Sequence, residues 1–140
     1  MNTLVYDGSN ERLAPAAMAP ALGRAMISAL FLLSGVSKVA APAMTIGYIQ
    51  AMGLPLPTIA FGLAATVEIV GGLALLLGFR TRITAVILLL FTLATAVFFH
   101  NQLGDQNQFI HFFKNVAIAG GLLNIVAFGA GRISLDGRRA

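Results

Sequence analysis

Residues 58–79 read TIAFGLAATVEIVGGLALLLGF. The stretch is apolar along its length except for one carboxylate, Glu68, near its middle. It is long enough to cross a hydrocarbon core of roughly 30 Å as a helix, which takes about 20 residues. A carboxylate at the centre of such a helix costs roughly 2.5–3.5 kcal/mol on insertion scales. So the stretch settles the class as helical and membrane-spanning, and it marks Glu68 as a residue with a partner or a task.

Three further apolar segments lie around it, at about 21–40, 83–99 and 109–130. Runs such as AVILLLF lack the alternation of barrel strands, and lipid permits only helices or closed barrels. The expected fold is all-α: a four-transmembrane-helix bundle over residues 21–131. A cytoplasmic N-terminal tail (1–20) precedes it and a basic cytoplasmic C-terminal tail (132–140) follows. Residues 1–20 hold no apolar run of signal-peptide length. Residues 42–57 form a semi-apolar connection between the first two spans, closed by Pro55 and Pro57, and are expected to lie flat at the interface or to form a simple re-entry loop.

Composition agrees. Of 140 residues, 58% are hydrophobic and 10% charged, against about 25% charged in a soluble domain. There is no cysteine, which excludes thiolate nucleophiles, disulfides and iron–sulfur ligation. The net charge of +4 reads as basic membrane flanks rather than nucleic-acid binding. With four spans, Arg12, Arg24, Arg80, Arg82, Arg132, Arg138 and Arg139 share one side; Lys38 and Lys114 share the other. The bias predicts both termini in the cytoplasm of a cell whose inner membrane holds the chain.

At 1.5 Å per residue Glu68 sits about 15 Å deep, near the midplane. Ala64, Gly71 and Gly72 on its face admit a neighbouring backbone, so it points into the bundle. Lys38 ends the first span, four residues after Ser34. His100 ends the third. His111, Lys114 and Asn115 share the first turns of the fourth. All lie in the outer half, so Glu68, Lys38, His100 and Lys114 can converge as the catalytic or proton-handling set. Each has a plainer reading: Lys38 and Lys114 as snorkelling lysines, His100 as a solvated helix end, Glu68 as half of a structural ion pair with either lysine. Phe98, Phe99, Phe109, Phe112 and Phe113 gather at the same end, as an aromatic belt or as a slot for a flat ring. His111, Asn115, Phe98, Phe99 and Phe112 are the ligand-contact candidates. No metal site is expected, and no cofactor motif is evident.

The segments FLLSGVSK, MGLPLP, ATVEIVGGLALLLGFRTR, FFH and FFKNVAIAGGLLNIVAFGAGRISLD, taken in order over residues 22–136, resemble the DoxX family of small four-helix membrane proteins. The family's Gly-x-x-Lys, membrane Glu, His and Lys-Asn positions match Gly35 with Lys38, Glu68, His100, and Lys114 with Asn115. The resemblance implies association with quinone-linked redox systems and oxidative stress, and with soluble redox partners, without fixing one reaction. The expected function is therefore a quinone-interacting component of a membrane oxidoreductase system, with a quinone as ligand, the lipid bilayer and a redox protein as partners, and a homo-oligomeric state. The alternatives are a non-catalytic scaffold for a partner enzyme and a carrier of small hydrophobic solutes.

Overall fold

A computed structural model describes residues 15–140, all helix and connection. The long helices are α1 (Pro15–Ala40), α3 (Pro57–Leu77), α4 (Thr81–Phe99) and α5 (Gln106–Phe128); α2 (Pro42–Ala51) and α6 (Leu135–Arg139) are short. The four long helices are each apolar and long enough to cross a membrane. The expected all-α bundle of four spans is therefore present. Residues 1–14 of the expected N-terminal tail, Arg12 among them, lie outside the described residues.

Two boundaries differ from the sequence expectation. The first helix already includes residues 15–20, ahead of the expected position 21, and carries Pro20 within it. The connection 42–57 is mostly helix: α2 packs on α3 and buries Ile49. Leu56, between two prolines, takes the left-handed conformation (φ 51°) that leads the chain into α3.

Helix α1 packs chiefly on α3, and α4 on α5. The tight turn makes α3 and α4 antiparallel neighbours, yet they pack less closely than α1 with α3. Gly35 explains the difference. A Cβ there would stand 2.7 Å from Ile69 Cγ1 and 3.1 Å from Glu68 Cβ, so only glycine lets the two backbones meet so closely. Phe31, Leu75, Ala85, Leu88 and Leu122 form the buried core between the pairs.

The end of the bundle at the α3–α4 turn is closed by the C-terminal segment. Gly78 ends α3 in the left-handed region (φ 67°), its N–H bonding Leu75 O and the N–H of Phe79 bonding Ala74 O, a Schellman-type ending. Any Cβ on Gly78 would collide with Ser134 and Arg24. Asp136 accepts hydrogen bonds from Arg80 N (2.9 Å), Thr81 N (2.7 Å) and Thr81 Oγ1 (2.7 Å), and its own N–H donates to Gly78 O (2.9 Å). It thus caps α4 from outside that helix. Those bonds, with Thr81 first, hold its carboxyl below the usual carboxylate range. The last residues, expected as a tail, are by this means tied to the bundle.

Arg24 completes that end. It is 2% exposed. Its Nη1 donates to Leu75 O (2.9 Å) and Leu76 O (3.1 Å), and its Nη2 to Ile133 O. Two of these acceptors are last-turn carbonyls of α3, where the intrahelical donors run out; Leu75 O also accepts from Gly78 N, and Leu76 O has Arg24. Arg24 Nε and Ser28 Oγ, one turn apart on α1, are the buried polar atoms there that have no partner among the described residues.

Candidate functional site

At the opposite end, α1 and α3 bring Lys38 to Glu68. Lys38 Nζ lies 2.9 Å from Oε1 and 2.9 Å from Oε2. The hydrogen bond is directed at Oε1, so Oε2 has the charge contact without a hydrogen bond. Ser34, one turn before Lys38, joins the pair: Nζ donates to Ser34 Oγ (2.7 Å), and that hydroxyl donates to Glu68 Oε1 (3.1 Å). Glu68 is 5% exposed, whereas the Lys38 side chain is 27% exposed. The carboxylate is thus sealed and the ammonium reaches outward. Gly35 lies on the same face between Ser34 and Lys38. By admitting α3 it sets the separation that a lysine can bridge, which gives the Gly-x-x-Lys spacing a mechanical meaning.

The pair lines a cavity of about 440 Å³. Its wall is otherwise largely apolar and aromatic, with Phe31, Val67, Phe91 and Phe99 from the long helices and Tyr48 and Ile49 from α2. Tyr48 stacks on Phe99, ring centroids 5.7 Å apart and planes at 25°. Leu30, Leu63 and Phe98 line the cavity and are also exposed on the lipid-facing exterior, so the cavity borders the bilayer as well as the bundle axis. Thr92 and Thr95 line it too, but their hydroxyls donate back to Leu88 O (2.7 Å) and Thr92 O (2.8 Å).

His100 and Asn115 line the same cavity. His100 Nδ1 is 2.9 Å from Gln108 Oε1. An amide oxygen only accepts, so Nδ1 donates to it, and Nε2 has no hydrogen-bond partner among the described residues. Asp105 fixes Gln108 in place, accepting its backbone N–H at the start of α5 (2.9 Å). His111 stacks on His100 (centroids 5.0 Å, planes 25°) but is exposed and does not line the cavity. Asn115 has no side-chain hydrogen-bond partner among the described residues.

Not every sequence candidate converges. Lys114 is exposed, lies outside the cavity lining and forms no ion pair among the described residues. The inward face of α5 runs through Phe112, Asn115, Ile118, Ala119 and Leu122. Lys114, one position before Asn115, is turned about 100° from it on the helix. Phe98 and Phe99 line the cavity; Phe112 instead packs edge-on to Phe113 (5.4 Å, 71°) and does not. Of the two lysines open to pairing with Glu68, the fold selects Lys38.

Sequence reasoning missed three contributors. Ser34 was visible as an i, i+4 neighbour of Lys38. Tyr48 and Ile49 enter from α2, and nothing in a short semi-apolar segment announces which bundle face it covers. Among the described residues no group of three or more His, Cys, Asp or Glu could hold a metal ion.

The DoxX family model matches residues 19–101. Over 118 residues the chain is 38% identical to the inner membrane protein YqjF of Escherichia coli (strain K12), covering 82% of this chain and 87% of that protein. Over 122 residues it is 35% identical to the inner membrane protein YphA of the same organism, covering 84% and 87%. No solved structure matches it.

Proposed function

The chain belongs to the DoxX family, and from that premise we propose that the Lys38–Glu68 cavity binds a small lipid-soluble aromatic ligand of the quinone class, within a membrane oxidoreductase system. The observation that carries this reading is the ion pair set in the wall of an otherwise apolar, aromatic-lined cavity of about 440 Å³. That volume lies within the roughly 300–1,000 Å³ usual for small-molecule sites, which pair apolar walls with a few placed polar groups.

A quinone fits the donor set: its flat ring suits the surfaces of Tyr48 and Phe99, and its carbonyl oxygens accept hydrogen bonds. Lys38, with two of its three N–H groups directed at Ser34 and Glu68, has one to direct at such an oxygen. Glu68 holds or releases a proton at Oε2, the oxygen outside the hydrogen-bonded network. His100, at the end of α4, passes protons between the cavity and water through Nε2. Electrons come from a partner redox protein. The chain sits in an inner membrane like that named for its two relatives, with the arginine-bearing ends on the cytoplasmic side.

The test is equilibrium binding of a short-chain ubiquinone to the purified protein in nanodiscs. Lys38→Met should weaken binding at least about tenfold, the loss expected when a charge-assisted hydrogen bond goes. Equal affinity in the variant and the parent would overturn the reading.

A second reading has its own support, because Ser34, Lys38 and Glu68 bond to one another across the closely packed α1–α3 contact. In it the triad locks two helices and the protein is a scaffold for a partner enzyme. Strong coupling of Lys38 and Glu68 in stability, together with unchanged ligand binding in the variants, would favour it.

A further inference from the structure

The arginine end holds a second cleft, outside the cavity and unused by it. It lies where α4 begins and α5 ends, has a volume of about 690 Å³, and is lined by Arg80, Arg82, Ile83 and Gly131 together with Asp136 and the C-terminal Ala140. We propose that this cleft binds the phosphate of an anionic phospholipid from the surrounding bilayer.

Charge is the first argument. Among the described residues this end carries Arg24, Arg80, Arg82, Arg132, Arg138 and Arg139 against one carboxylate side chain, Asp136. That carboxylate is occupied by the backbone of Arg80 and by Thr81. The sole ion pair among the described residues is Lys38–Glu68, at the other end. Among the described residues, none of the exposed arginines at this end forms a side-chain ion pair. The attraction does not arise from the α4 N-terminus, whose first N–H groups Asp136 already caps.

Residue type is the second. Both lysines of the chain lie at the cavity end, and every arginine lies at this one or outside the described residues. A basic membrane flank is served equally well by lysine. The planar fork of arginine adds two parallel hydrogen bonds to one phosphate. Arg82 has Nη2 3.4 Å from Ala127 O and its guanidinium near Gly129. Arg80 projects from a backbone position that Asp136 clamps. Two arginine forks flank one cleft.

Position is the third, and it selects a lipid over an acidic protein. Ile83 (58% exposed) lines the cleft on the outer surface of a membrane-crossing helix, and Phe128 (82% exposed) lies one residue before Gly129 of its lining. An acyl chain has an apolar wall to follow directly below the cationic site, as in basic headgroup pockets between transmembrane helices.

The experiment compares the full-length protein with Arg80→Gln/Arg82→Gln and Arg80→Lys/Arg82→Lys in nanodiscs of phosphatidylcholine containing a minority of phosphatidylglycerol. Co-purified lipid is read by native mass spectrometry. The parent protein should retain phosphatidylglycerol at least about fivefold above its share of the bilayer, as two nearby cations predict. The glutamine variant should fall to the bulk ratio. The lysine variant, with charge kept and forks lost, should fall most of the way, while Lys114→Gln at the far end should match the parent. Equal retention in parent and glutamine variant would overturn the proposal, since the remaining surface arginines would then account for it. So would full retention in the lysine variant, or displacement of the lipid by millimolar inorganic phosphate, which would indicate a free-anion site.

Discussion

At one end of the bundle Arg24 donates to the main-chain carbonyls of Leu75, Leu76 and Ile133; at the other, Lys38 and Glu68 hold each other and the hydroxyl of Ser34 beside a cavity of about 440 Å³. Both ends carry buried charge in a chain with very little of it. At the arginine end the acceptors belong to the backbone, so they move only if the helices move. At the lysine end the partners are side chains on rotatable bonds, with one ammonium N–H and one carboxylate oxygen outside the network. The first arrangement suits fastening. The second can exchange a partner for a ligand without unfolding anything.

The sharpest break of that comparison is Arg24→Met. It strips Leu76 O and Ile133 O of their donor and leaves Leu75 O with only the N–H of Gly78; each stranded carbonyl is worth about 1–3 kcal/mol, so a loss of several kcal/mol is expected in detergent thermal unfolding. If the variant melts as late as the parent, the arginine end is not the fastened one.

Next comes the cavity pair. Lys38→Met and Glu68→Gln should each cost about 2–3 kcal/mol. This is less than the roughly 3–5 kcal/mol typical of breaking a fully buried pair, because the Lys38 side chain is 27% exposed. The double variant should recover much of the loss, with a coupling of at least about 1 kcal/mol in the cycle. Strictly additive losses would show that the contact does not hold α1 to α3.

The smallest effect concerns Asp136. Its carboxyl is held below the usual range by Thr81 and Arg80, so its contribution is complete above the unfolded-state value near 3.9. That contribution is lost as pH falls through the lower folded-state value. Unfolding followed from about pH 5 to pH 2 should show an acid limb that Asp136→Asn flattens, with about 1 kcal/mol lost at neutral pH, as for a removed helix cap. An unchanged acid limb in the variant would detach the C-terminal segment from the stability of that end.

The bundle itself was legible, because each long helix announces itself by uninterrupted apolar length. Glu68 was legible as an anomaly of cost, and Lys38 as one of two lysines able to meet it. The choice between them was not. It depends on Gly35 letting α1 approach α3 and on the rotation of α5, which turns Asn115 inward and Lys114 out. Arg24 was read as one more basic flank, because a count of charges carries no information about which carbonyls a long side chain meets. The segment ending in Ser134, Leu135 and Asp136 likewise reads as a tail until the α3–α4 turn is placed beside it.

What the sequence determined by itself was the solvent and the element: lipid, and helices. Neither depends on which helix touches which, since a helix satisfies nearly all of its backbone N–H and C=O groups along its own length, as lipid requires. What only the tertiary structure decided was the fate of each charge: Arg24 spent on backbone, Glu68 matched with Lys38, Lys114 left outside, Arg80 and Arg82 brought to one cleft. Those outcomes rest on separations of a few ångströms between residues far apart in the chain, and side-chain ion pairs and hydrogen bonds form or fail on that scale.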